Sequence, residues 1–223
     1  MELVIFLAAG TGLMLVLMLH LRKYYQITYI KTVVLAVLLT LAGLSGTKIM
    51  YWLESGSWGG ESFFGAILLV PLLMLLASGI LQIPVGTILD MCAPAECIML
   101  ALMKVRCSYF GCCKGRILHI TENLEFRFPS QLVEMLSALI LMYILLRIIK
   151  KDKHRNQIYA CYMILYGISR FILNLFRLTV PFVWIIPARN FWSLISIVLG
   201  IIWFFLVKKN KKNIIDTYRD NDN

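Results

Sequence analysis

Apolar residues run along this chain in long blocks, and polar residues gather in the short gaps between them. A helix needs roughly 20 mostly apolar residues to cross a bilayer, because its backbone must satisfy itself where there is no water. Seven segments fit that requirement: Leu3–His20, Tyr29–Ile49, Phe63–Ile83, Thr87–Met103, Gln131–Ile149, Ile158–Phe176 and Phe191–Val207. They predict an all-α fold, a polytopic transmembrane helical bundle of about seven spans. The fourth segment is interrupted by Asp90, Pro94 and Glu96. A polar, Pro-broken span is expected to line a cavity inside the bundle and not to face lipid.

Composition supports the same class. Of 223 residues, 60% are hydrophobic and 15% charged, against about 25% charged in soluble domains. A chain of 25.6 kDa has room for one compact bundle, expected over residues 1–212, with a polar, fraying cytoplasmic tail over 213–223. The first apolar run is expected to be a retained span. Its basic pair, Arg22 and Lys23, follows the run, and no small-residue cleavage site lies beyond it.

The net charge of +10 fits basic loops on the cytoplasmic side better than nucleic-acid binding, since no polar domain exists to host a nucleic acid. Arg22 and Lys23 follow the first span. Arg147, Lys150, Lys151, Lys153 and Arg155 close the fifth, and Lys208, Lys209, Lys211 and Lys212 follow the seventh. With seven spans these clusters share one side, which predicts the N-terminus outside and the C-terminus cytoplasmic.

Basic residues also occur where that rule does not expect them. Lys104, Arg106, Lys114, Arg116 and Arg127 lie between spans four and five, and Arg170, Arg177 and Arg189 lie near or beyond the outer end of span six. They either pair with Glu122, Glu125, Glu134 or headgroup phosphates, or they form a cationic pocket for a phosphate-bearing ligand. Arg170 is the sharpest candidate, because it sits inside an apolar helix, and intramembrane charges mark sites.

Four motifs carry a resemblance. They are Gly59-Gly60-Glu61-Ser62-Phe63-Phe64-Gly65-Ala66; Asp90-Met91-Cys92-Ala93-Pro94 running on to Gly111-Cys112-Cys113-Lys114-Gly115-Arg116; Arg127-Phe128-Pro129-Ser130-Gln131-Leu132-Val133-Glu134; and Ser169-Arg170-Phe171 with Asn174 and Arg177. With seven spans, this arrangement resembles the prolipoprotein diacylglyceryl transferase family over nearly the whole chain, in a short variant with a Gly-Cys-Cys-x-Gly loop. The resemblance implies a multi-pass enzyme of the bacterial plasma (inner) membrane that acts in lipoprotein biosynthesis. Such an enzyme takes phosphatidylglycerol and moves its diacylglyceryl group to the lipobox cysteine thiol of a preprolipoprotein signal peptide, releasing glycerol phosphate without a cofactor. Arg170, Lys104 and Glu134 are the implied catalytic residues. Arg106, Gly111, Gly115, Arg116, Arg127, Gln131 and Arg177 are the implied substrate-binding set. Guanidinium groups suit this chemistry, because they bind phosphate bidentately and stabilise the charge it gains as the C–O bond breaks.

The chain departs from the family pattern at several positions. Lys104 and Lys48 stand where the family has arginines, Cys107 replaces an asparagine, Cys112 a glutamate and Asn174 an acidic residue. Phe64 replaces a histidine suited to deprotonating the acceptor thiol. A cationic field can favour a thiolate without a base; His119 and Glu134 are the alternative bases. Adjacent Cys112 and Cys113 point apart, so no metal site is read from the six cysteines. Two other functions compete: a catalytically lapsed paralogue that binds lipid or signal peptide, and a small transporter.

Overall fold

The computed structural model describes residues 2–112, 115–121, 124–151, 155–176, 182–183 and 186–221. Among them are seven helices: α1 (Glu2–Tyr25), α2 (Tyr29–Ser55), α3 (Phe64–Leu81), α4 (Val85–Tyr109), α5 (Ser130–Lys150), α6 (Ile158–Asn174) and α7 (Ala188–Asn221). All except α6 are long and apolar enough to cross a membrane. The 17 residues of α6 sit at the short end of the spanning range. The seven helices coincide with the seven apolar blocks. The backbone of α7 stays helical to Asn221, where fraying was expected.

Two small antiparallel hairpins, which the apolar blocks do not predict, supplement the bundle. β1 (Ile117–Thr121) pairs with β2 (Leu124–Arg127) between α4 and α5, and β3 (Phe182–Val183) pairs with β4 (Ile186–Pro187) between α6 and α7. The first hairpin is tied to the end of α6. Arg116 N–H donates to the Phe176 carbonyl at 2.9 Å, and the Phe128 and Phe176 rings stack at 4.9 Å.

The polar fourth span is the centre of the bundle. In α4, 72% of the apolar stretch is buried, against 39% or less in the other long spans. Asp90, at its start, does structural work there. Its carboxylate accepts the backbone N–H groups of Asn156 at 2.5 Å and Ile158 at 2.9 Å. It therefore caps α6 from another helix, supplying acceptors that a helix N-terminus lacks.

Proline creates a second polar tie. Pro71 lies inside α3 and has no N–H for the carbonyl of Ile67 four residues back. The hydroxyl of Tyr159 on α6 reaches that carbonyl at 3.0 Å. The same hydroxyl lies 3.2 Å from Glu96 Oε1 on α4, so one side chain joins three helices. Small residues set the remaining spacing. α2 and α3 cross where Gly46 meets Gly65, so closely that a Cβ on Gly65 would fall 1.9 Å from the Gly46 carbonyl oxygen.

Candidate active-site cavity

The C-terminal end of α4, the start of α5 and the C-terminal end of α6 meet at one end of the bundle. There Glu134 Oε2 accepts from Lys104 Nζ at 2.5 Å and contacts Arg170 Nη1 as well. Three helices thus contribute one charge each. Lys104, Glu134 and Arg170 are 7%, 2% and 8% exposed. Two cations on one carboxylate leave a net single positive charge in a nearly dry place. Glu134 is occupied in holding both cations, which fits it to a positioning role and not to that of a free base.

Lys104 and Arg170 line a cavity of about 160 Å3 between α1, α2, α3, α4 and α6. Its wall mixes polar side chains, among them Thr47, Tyr51, Glu54, Glu61 and Ser62, with apolar ones, among them Leu7, Met14, Leu39, Met99 and Leu100. Along α4 the lining residues Glu96, Leu100, Met103, Lys104 and Cys107 recur at helical spacing, so one face of the central helix forms the wall. A lining of both kinds suits an amphipathic molecule.

A second ionic cluster borders the cavity. Glu61, just before α3, lies 3.7 Å from Lys48 on α2 and 3.5 Å from Arg106 on α4. Lys48 also donates to the Gly60 carbonyl at 3.2 Å. Arg106 Nε is buried without a partner among the described residues. Asn174, one turn beyond Arg170, likewise has neither amide atom bonded among them.

The other expected site residues divide into frame and periphery. Gln131 Nε2 donates to the Cys112 carbonyl at 2.6 Å, pinning the loop after α4 to the start of α5. Gly111 makes the turn with φ 64°. Gly115 packs where a Cβ would meet the Phe128 carbonyl oxygen at 2.1 Å. Arg116 and Arg127 are exposed and do not line the cavity. Arg177, Lys114 and Cys113 lie outside the described residues, as do the side chains of His119 and Arg189. The expected single cationic pocket is therefore, among the described residues, two separate clusters, each built around a glutamate.

Phe64 is buried on the cavity wall, edge-on to the Tyr166 ring at 5.7 Å. Its ring offers the cavity no protonatable atom. Sequence reasoning gave no role to Glu61 or Glu54. Glu61 sits inside a quoted motif, and its signal was a carboxylate close to Lys48 and Arg106, which only the fold brings near. Glu96 was read only as a sign of an interior span; it also lines the cavity.

Comparison with known proteins gives two findings. A family model described as prolipoprotein diacylglyceryl transferase matches residues 3–206. A phosphatidylglycerol–prolipoprotein diacylglyceryl transferase of Geobacter sulfurreducens is 28% identical over 127 residues, which cover 53% of this chain and 49% of that protein. The match thus spans about half the length of that curated relative.

Proposed function

Because this chain belongs to the prolipoprotein diacylglyceryl transferase family, we propose that it transfers a diacylglyceryl group from phosphatidylglycerol to the lipobox cysteine of a preprolipoprotein. The observation that carries this reading is the Lys104–Glu134–Arg170 cluster on the wall of an amphipathic cavity. The phosphate of the lipid would sit against Lys104 and Arg170, with its acyl chains against the leucines and methionines of the lining. The acceptor thiolate attacks the glycerol carbon beside the phosphate. A C–S bond forms, the C–O bond breaks, the thiol proton leaves to solvent, and glycerol phosphate departs.

The charge arithmetic favours the transition state. The phosphate gains negative charge as the C–O bond breaks, and cations already fixed by Glu134 need no reorganisation to meet it. The same field favours the thiolate over the thiol, whose ordinary pKa is about 8.5. Lys104 in place of an arginine keeps the charge and gives up one bidentate fork. Gln131, Gly111 and Gly115 act by holding the loop beside the cavity, and Arg106 adds positive charge behind Glu61 of the cavity wall. The bilayer would be a bacterial plasma membrane, with the N-terminus outside, residues 1–212 forming the transferase domain and 213–223 a cytoplasmic tail.

One observation favours a second reading. Phe64 presents no protonatable atom, which suits a lapsed paralogue that binds lipid or signal peptide without turnover. A single assay separates the two. Membranes containing the protein are given phosphatidylglycerol and a lipobox peptide, and the peptide mass is measured. Thioether-lipidated peptide is expected, and Arg170→Ala should abolish it. Full activity in Arg170→Ala would overturn the proposed site. No product from the unaltered protein, with product appearing in Phe64→His, would establish the lapsed reading.

A further inference from the structure

The opposite end of the bundle holds cations in a different way. Two adjoining cavities of about 140 and 150 Å3 lie against the C-terminal ends of α1 and α5 and the start of α6, sharing Tyr24, Ile149 and Lys150. His20 and Arg147 line the first and Arg155 the second, and no Asp or Glu among the described residues lines either. Neither Arg147 nor Arg155 makes an ion pair with a described carboxylate.

Aromatic rings hold them instead. Arg147 Nε and Nη2 donate to the Tyr143 hydroxyl at 2.8 and 2.5 Å, with the guanidinium 5.0 Å from that ring's centre. The Arg155 guanidinium lies 5.6 Å from the centre of the Tyr25 ring, and the His20 and Tyr24 rings lie 6.0 Å apart. At the other end the buried cations Lys104 and Arg170 share a glutamate; here Arg147 and Arg155 are exposed and are oriented against rings. A ring that meets a cation through its face leaves N–H groups for an anion, and Arg147 keeps those that the Tyr143 hydroxyl does not take. Leu17, Leu21 and Leu146 line the first cavity beside the cations, so charge and apolar surface occur together.

We propose that this groove is a binding site for the phosphodiester headgroup of an anionic phospholipid, separate from the cavity that holds Lys104 and Arg170. Phosphate is the matching chemistry because it offers several acceptor oxygens to guanidinium donors. A lipid is the matching source because the leucines beside those donors receive the first carbons of an acyl chain. Basic pockets between spans recognise anionic headgroups in this way. The site stands at the far end from the reacting cavity, so its occupant stabilises the junction of α1, α5 and α6 and is not consumed.

The test uses the full chain, purified and reconstituted with equal amounts of phosphatidylcholine and phosphatidylglycerol, and counts retained lipids by native mass spectrometry. Two variants, Arg147→Gln with Arg155→Gln together and Lys150→Gln alone, are compared with Arg170→Ala. The unaltered protein and Arg170→Ala should each retain anionic lipid at this site, and retention should weaken about fivefold for each groove cation removed. Circular dichroism checks that the variants are folded, with Lys150→Gln as the milder change. Equal retention in folded groove variants would overturn the proposal. So would displacement of the lipid by inorganic phosphate at equal phosphate concentration, which would mark the groove as a free-phosphate site. Loss of the transferase reading would leave this result untouched, since the readout is binding.

Discussion

Glu134→Gln removes one charge from the buried cluster and little volume, so it isolates the electrostatics. Lys104 and Arg170 both contact the same oxygen, which places their cationic nitrogens no more than about 5 Å apart. At an effective dielectric of about 20, two unit charges at that separation repel by about 3 kcal/mol. In the native cluster that repulsion is offset by two attractions to Glu134. The amide oxygen of Gln can still accept a hydrogen bond but cannot neutralise either cation. A destabilisation of about 3 kcal/mol is expected, consistent with the 3–5 kcal/mol typical of breaking a buried pair. The assay is reversible denaturation of the detergent-solubilised protein followed by circular dichroism. Two controls fix the mechanism. Adding Lys104→Met to Glu134→Gln should recover stability, because only one buried cation then remains. Added glycerol phosphate should stabilise Glu134→Gln more than the unaltered protein, by supplying the missing anion. A Glu134→Gln variant within about 0.5 kcal/mol of the unaltered protein, the range of ordinary surface substitutions, would refute the reasoning.

Two structural predictions follow from other contacts. Gly65→Ala should disrupt the crossing of α2 and α3, since its Cβ would press on the Gly46 carbonyl; a loss of about 3 kcal/mol or a failure to accumulate folded protein is expected, and unchanged thermal unfolding would contradict it. Asp90→Asn keeps at most one acceptor for the N–H groups of Asn156 and Ile158; it should cost about 1–3 kcal/mol and speed amide exchange at Ile158, whereas Asp90→Ala should cost more.

The spans were legible because a backbone in lipid has one local solution, and an apolar run of sufficient length declares it. The interior place of α4 was legible for the same reason: Asp90 and Glu96 are too polar to face lipid, and that span is the most buried. Arg170 could be singled out because a charge inside an apolar helix needs a partner. Which partner it has was another matter. In a span surrounded by lipid or by other spans, both faces are apolar, so the pattern carries little information about which face turns inward. Rotation of α4, α5 and α6 about their axes decides that Glu134 meets both Lys104 and Arg170, while Arg106 turns to Glu61 instead. The same packing gives Asp90 the task of capping α6 and brings Tyr159 to the carbonyl that Pro71 left open. The sequence alone determined a membrane bundle with a buried polar centre and a charge in need of a partner. Only the tertiary structure decided which helices share that charge and what surrounds it, because those contacts depend on helix orientation, and residue spacing within a single span does not encode it.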